Sequence, residues 1–207
     1  MGIKFKDIKV KGYERVIHVT YDKTLLDCII AIHNTRLGPA LGGARSWNYK
    51  DFNQQIKDTT RLAEAMTLKN SICGINFGGG KATLNLNGIK KTPELYKSYA
   101  EAVESLKGIY ITAGDVGTSK EDLIECAKTT KYVNGINLET SEPTAKGIFN
   151  AIKTTNNFIN KNNELTNLHI AISGVGKVGS KLAKLLFDAK AKITVASTDS
   201  GSIVNLK

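Results

Sequence analysis

Leu168-His-Ile-Ala-Ile-Ser173 runs directly into Gly174-Val-Gly-Lys-Val-Gly179, and no other stretch of the 207 residues restricts the fold as tightly. The apolar run reads as a strand, Ser180 to Lys190 as a helix and Lys192 to Thr198 as a second strand, closed by Asp199 twenty residues beyond Gly179. Two parallel strands joined through a helix belong to an α/β sheet covered on both faces. In this G-x-G-x-x-G setting Gly174 allows the tight turn and Gly176 lets the backbone reach a pyrophosphate. Gly179 lets helix and strand pack closely, and Val175, Lys177 and Val178 fill the remaining positions. The free N–H groups at the helix start favour phosphates. Asp199 suits a ribose 2′-hydroxyl and repels a 2′-phosphate, which favours NAD over NADP.

A second constellation lies upstream. Met66-Thr-Leu-Lys69 and Phe77-Gly-Gly-Gly-Lys81 set two lysines twelve positions apart, the second straight after a triple glycine. Three glycines read as a bare loop, free to take positive φ and open to close approach by a ligand. Two facing lysines suit a carboxylate, and each ammonium makes the other harder to protonate, which gives one of them the character of a base. The plain alternative is a surface turn with two solvated lysines.

Around these words the chain alternates strands and helices. Val10–Thr20 and Leu25–His33 read as strands, Leu37-Gly-Pro-Ala-Leu-Gly-Gly-Ala-Arg45 as a glycine-rich loop, and Asp51–Lys69 as a helix with Ile56, Thr60, Ala63 and Met66 on one side. Ile75–Phe77 and Ala82–Leu86 read as short strands flanking the triple glycine. Thr92-Pro93 opens a helix that Gly108 stops, Ile109–Thr112 is a strand, and Ser119-Lys-Glu-Asp122 is a capping box opening the next helix. A long helix from Thr144 to Lys161 begins a second unit, so residues 1–142 and 143–207 read as two domains.

Composition narrows the function classes. The net charge of +10 invites a nucleic-acid reading, but only four of the 29 basic residues are arginine and the lysines are spread thinly from end to end. That is poor equipment for bidentate base readout, so no nucleic-acid partner is expected. No apolar run reaches the ~18 residues of a membrane span, and the N-terminus lacks a signal-peptide core. Cys28, Cys73 and Cys126 are an odd number without CxxC spacing, and read as unpaired thiols in a reducing cytoplasm with no metal site. His33, at the end of an apolar strand, reads as a hydrogen-bonded structural residue.

Several words together match one family. Leu37-Gly-Pro-Ala-Leu-Gly-Gly-Ala-Arg45, Met66-Thr-Leu-Lys-Asn70, Gly78-Gly-Gly-Lys81, Thr112-Ala-Gly-Asp-Val-Gly-Thr118, Pro143-Thr-Ala145 and the glycine fingerprint occur in order from Tyr13 to Asp199. On these words the chain resembles the Glu/Leu/Phe/Val dehydrogenases, most closely the leucine dehydrogenases. The resemblance implies an N-terminal α/β substrate-binding and oligomerisation domain followed by a Rossmann-type NAD-binding domain. It implies oxidative deamination of an aliphatic, leucine-like L-amino acid to the 2-oxo acid, in a cytoplasmic homo-oligomer. Carried over by motif, Lys69 holds the substrate carboxylate, Lys81 activates water, and Asp115 relays protons to and from the amino nitrogen. Leu41, Gly42 and Ala113 line the side-chain pocket, and Thr144 touches the nicotinamide amide. Ala44 stands where the family usually has Thr or Ser, and Gly114 where it often has Glu.

The chain ends eight residues after Asp199. The nicotinamide half of a dinucleotide fold is therefore expected to be missing, the resemblance implies that a C-terminal helix and a substrate-gripping asparagine are missing too, and Ile193, Val195 and Ile203 are expected to be poorly covered unless a partner buries them. A chain supplying the missing half, or a catalytically inactive remnant, is the alternative to a working dehydrogenase.

Overall fold

The computed structural model describes residues 2–204, which divide between Asn137 and Leu138 into two compact units. The first unit is built on a six-stranded sheet. Its strands are β1 (Lys4–Asp7), β2 (Arg15–Tyr21), β3 (Leu26–Asn34), β4 (Ala40–Trp47), β5 (Gly78–Asn85) and β6 (Tyr110–Gly114), in the order β1-β2-β3-β5-β4-β6. The first three pair antiparallel and β3 pairs antiparallel with β5, whereas β4 runs parallel to both β5 and β6.

Strand alternation gives the sheet two different faces. One carries Ile17, Val19, Ile30, Ile32, Ala40, Ala44, Ala82, Leu84 and Tyr110, which form the main core with Leu95, Tyr96, Tyr99 and Val103 of helix α2 (Pro93–Ser105). The other face receives α1 (Phe52–Ile72). Thr92 caps α2 as expected, and at α3 (Lys120–Ala127) both hydrogen bonds of the Ser119–Asp122 capping box are present.

Three sequence expectations are overturned here. The glycine-rich stretch from Leu37 is not a loop throughout: from Ala40 it is β4, interior to the sheet. The triple glycine is not a bare loop flanked by strands either. Gly78–Gly80 open β5, are buried, and none has positive φ, while Ile75–Phe77 lie outside any strand. The missing side chains serve packing, because a Cβ on Gly79 would lie 2.1 Å from the backbone nitrogen of Thr67 in α1. The strand expected over Val10–Thr20 begins only at Arg15, after a turn at Gly12, and the edge strand β1 precedes it.

Helix α1 also departs from the expected apolar stripe. Its buried positions are Gln55, Thr59, Ala63 and Asn70. Two of the polar ones are satisfied across the interface: Thr59 shares a 2.6 Å hydrogen bond with Thr83 of β5, and Asn70 Nδ2 donates to the Gly78 carbonyl at 2.6 Å, whereas Gln55 donates through Nε2 to the Thr83 carbonyl at 3.3 Å and its buried Oε1 has no partner among the described residues. His33 has the structural role expected of it, at 2.8 Å from Thr67 Oγ1.

The second unit contains α4 (Ser141–Asn160), β7 (His169–Ser173), α5 (Lys177–Asp188), β8 (Lys192–Ala196) and the short α6 (Ser200–Val204). β7 and β8 are parallel, pairing His169 with Lys192 through Ser173 with Ala196, and α5 is the crossover between them. This is one β-α-β turn of a Rossmann-type sheet, with Leu165, Ile172, Val175, Leu182 and Leu186 buried in its core. Ile193, Val195 and Ile203 are half-buried against that core. Helix α4 starts at Ser141 and not Thr144, with Pro143 in its first turn, where proline's missing N–H costs nothing.

Candidate active site

Strand parity gathers the candidate residues of the first unit. Arg45 on β4, Lys81 on β5 and Asp115 just past β6 are linked by ion pairs over the face that receives α1. Lys81 is buried, its side chain 6% exposed, and its Nζ lies 3.0 Å from Asp115 Oδ2. Burial drives the Lys81 amine below the ordinary lysine range; the Asp115 carboxylate opposes that fall and the Arg45 cation adds to it. The expectation that a second lysine provides the repulsion is thereby corrected: desolvation dominates, and the neighbouring cation is Arg45.

Lys69 is exposed in the last turn of α1, and its side chain has no hydrogen bond or ion pair among the described residues. Leu41 on β4 and Ala113 on β6 are half-buried, two residues apart in register, since Leu41 pairs with Ile111 and Gly43 with Ala113. Gly42 belongs by alternation to the opposite face, and its carbonyl accepts the Tyr110 hydroxyl at 2.6 Å.

The turn carrying Asp115 is strapped in place. Ser46 N donates to the Val116 carbonyl at 2.9 Å, Thr118 Oγ1 to the Ala44 carbonyl at 2.7 Å, and Lys91 Nζ to the Gly117 carbonyl at 2.8 Å. Lys91 also pairs with Asp122.

Sequence reasoning left Arg45, Tyr49 and Asp58 without a role. Arg45 bridges Asp115 and Asp58, and Asp58 accepts the Tyr49 hydroxyl at 2.8 Å and pairs with Arg61. Burial pushes the Asp58 carboxyl up, but the Tyr49 hydrogen bond and the two arginine charges outweigh it and leave the group below the usual carboxylate range. A cavity of about 420 Å³ is lined by Arg45, Trp47, Tyr49, Asp58 and Arg61 among others, but by neither Lys81 nor Asp115. The available sequence signal was the arginine closing the quoted Leu37–Arg45 word; nothing local marked Tyr49 or Asp58.

In the second unit the fingerprint has the backbone its motif requires. Gly174 has φ +90°, and Gly176 is the N-cap of α5 with no side-chain cap hydrogen bond. A Cβ on Gly176 would meet nothing within 4 Å, whereas one on Gly179 would lie 2.1 Å from the Gly174 carbonyl oxygen. An uncapped helix start with clear space beside its glycine fits a pyrophosphate. Lys177 is exposed and begins the helix, Val178 is half-buried, and Val175 is buried. Asp199 heads α6, its Oδ1 accepting the Gly201 amide at 3.1 Å. Thr144 lies exposed in the first turn of α4, its hydroxyl donating to the Thr140 carbonyl at 2.7 Å. Among the described residues no group of three His, Cys, Asp or Glu could hold a metal, and no helix is long and apolar enough to cross a membrane.

An α/β chain with a buried lysine paired to an aspartate in one unit and a glycine fingerprint between parallel strands in the other has the architecture of an amino-acid dehydrogenase. A family model described as Glu/Leu/Phe/Val dehydrogenase, dimerisation domain, matches residues 13–132, and that of Glutamate/Leucine/Phenylalanine/Valine dehydrogenase matches 135–207. The chain belongs to this family. It is 37% identical to phenylalanine dehydrogenase of Lysinibacillus sphaericus over 96% of its own length and 54% of that protein's. With leucine dehydrogenase of Bacillus subtilis it shares 35% identity over 96% and 57% of the two chains. The crystal structure of L-tryptophan dehydrogenase from Nostoc punctiforme superposes with a TM-score of 0.72 at 32% identity, over 95% of this chain and 57% of that one. The chain thus spans about half the length of the curated relatives it matches.

Proposed function

We propose that this chain carries the substrate-handling half and the dinucleotide fingerprint of an NAD-dependent L-amino-acid dehydrogenase acting on an aliphatic, leucine-like substrate. One observation carries the reading: a buried lysine held below its ordinary protonation range, 3.0 Å from a carboxylate. Such a pair suits proton transfer, which a well-solvated lysine performs poorly at neutral pH.

Lys69, exposed and without a side-chain partner among the described residues, would hold the substrate carboxylate. Asp115 relays the proton leaving the substrate ammonium, so that the nitrogen lone pair is free to form the iminium. A nicotinamide dinucleotide held by Gly174–Gly179 and Asp199, with Thr144 at its amide, would supply the hydride acceptor. Lys81, as the neutral amine, takes a proton from water as the water oxygen bonds to the iminium carbon. Asp115 returns its proton to the nitrogen of the resulting carbinolamine, the C–N bond breaks as the hydroxyl proton is shed to solvent, and ammonia and the 2-oxo acid leave. Leu41 and Ala113 support an aliphatic side chain, while relatives named for phenylalanine and tryptophan match the chain over 96% and 94% of its length. Asp199 supports NAD over its 2′-phosphorylated form. The dimerisation-domain match supports a homo-oligomer.

The test follows NADH absorbance with branched-chain L-amino acids at alkaline pH, beside NAD binding by titration calorimetry. Lys81→Ala is expected to abolish turnover and leave NAD affinity unchanged. Turnover that survives the substitution would sink the reading, and loss of NAD binding with it would mean that Lys81 serves the nucleotide instead.

A further inference from the structure

Arg45 holds a place that no assignment above uses. Its guanidinium lies between two carboxylates: Nε donates to Asp115 Oδ2 at 2.9 Å, and Nη1 to Asp58 Oδ2 at 3.1 Å. The Asp115 oxygen it takes is the one that Lys81 Nζ reaches at 3.0 Å. One oxygen is therefore shared by two cations, while Asp115 Oδ1 accepts no hydrogen bond among the described residues. Asp58 is steadied in turn by Tyr49 and Arg61.

Resting on the dehydrogenase reading, we propose that Arg45 is the positioning residue of the proton-transfer pair: it fixes the Asp115 carboxylate and competes with Lys81 for the same oxygen, leaving the lysine free to act as a base.

A carboxylate facing Lys81 alone would favour the ammonium–carboxylate state, which cannot accept a proton. A second cation on that oxygen divides its attraction, and like-charge repulsion at close range adds to the effect. An arginine suits the post because its planar fork presents two N–H directions at a fixed angle, here met by Asp115 on one side and Asp58 on the other. The charged and titratable groups of this network are Arg45 from β4, Tyr49 between β4 and α1, Asp58 and Arg61 from α1, and Asp115 after β6. Removing Arg45 deletes a repelling charge and leaves Asp115 wholly to Lys81, so both effects favour the ammonium. Removing Asp58 deletes an attracting charge and acts in the opposite sense.

The test needs no turnover. The full chain is labelled with ¹³C-lysine, and the Lys81 signal, identified by its loss in Lys81→Met, is titrated by NMR. In the wild type it is expected to titrate below the other lysines. Arg45→Met should move its midpoint up toward them, burial still holding it below, while Arg45→Lys, which keeps the charge, should hold it near the wild-type position. Asp58→Asn, the second variant should Arg45→Met not fold, should leave the midpoint unchanged or lower. An unmoved midpoint in Arg45→Met, equal midpoints in the Met and Lys variants, or a rise in Asp58→Asn overturns the role of Arg45 and leaves the dehydrogenase reading standing. A wild-type Lys81 that titrates with the other lysines overturns both. Where NADH formation is measured, Arg45→Met should lower kcat about 10²-fold, with KM for the amino acid moving far less, because Lys69 and not Arg45 is assigned to the substrate carboxylate.

Discussion

Lys81 stands where a charge is costly, and its cost has a measurable signature. Its protonation point lies below the ordinary lysine value in the folded chain, so the unfolded chain binds more protons between the two. The penalty is full below the folded value and is relieved as pH climbs toward the unfolded one, so Lys81 makes the protein more stable with rising pH across that window. Lys81→Met, which keeps the stem and drops the amine, should therefore melt at or above the wild-type temperature at pH 7, and its advantage should shrink by pH 10. Scanning calorimetry at the two pH values checks this, and an advantage that grows with pH would contradict it. The lysine itself was legible from its place after Gly78-Gly-Gly. The source of its perturbation was not, because burial and the approach of Arg45 depend on strands β4 and β5 lying side by side. That pairing brings Arg45 opposite Thr83, 38 positions away in the chain, through long-range geometry that no local word encodes.

At the scale of elements, the capped helices were the most legible parts and the glycine-rich strands the least. Thr92-Pro93 and Ser119-Lys-Glu-Asp122 carry local hydrogen bonds that fix a helix start whatever surrounds them. Gly42-Gly43 and Gly78–Gly80 have no such signal, because a glycine favours no strand by itself. It is tolerated where another backbone comes too close for a side chain. This gives a direct prediction. Gly79→Ala would place a methyl 2.1 Å from the Thr67 nitrogen and 2.5 Å from its Cα, backbone that cannot swing aside, so α1 would have to lift from β5. A loss of about 3 kcal/mol is expected on the scale of overpacked cores. Denaturant unfolding measures it; a Gly79→Ala chain as stable as the wild type would mean that the helix does not press on the strand as described. Lys69 rides on the same helix, so amino-acid binding should weaken along with stability.

The molecule as a whole keeps the hydrophobic cores of its two units in separate stretches of sequence, the first unit adding a smaller cluster of Val16, Ile29, Ala31 and Ala63 to its main core. The main core draws on residues between Ile17 and Cys126, and the core of the second unit on residues from Ala145 onward. Residues 1–137 expressed alone should therefore fold with a single cooperative melt, supported by six strands and three helices. Residues 138–207, with a two-stranded sheet and Phe158, Ile159 and Phe187 exposed at 77%, 66% and 73%, should be marginal in isolation. Circular dichroism melts of the two fragments decide it, and an unfolded 1–137 would show that its core is insufficient. The α/β class and the order of the two parts were readable from the fingerprint and the family words. The mixed antiparallel and parallel pairing of the first sheet was not, since strand order depends on which edges meet in space.

Of the three thiols, Cys28 and Cys126 are enclosed and Cys73 stands exposed at the C-cap of α1, one turn beyond Lys69. Nature has thus left a single chemical handle beside the cation assigned to greet the substrate. A maleimide dye placed there, with no engineered cysteine, would turn the unmodified chain into its own optical sensor, brightening or dimming as a carboxylate ligand arrives.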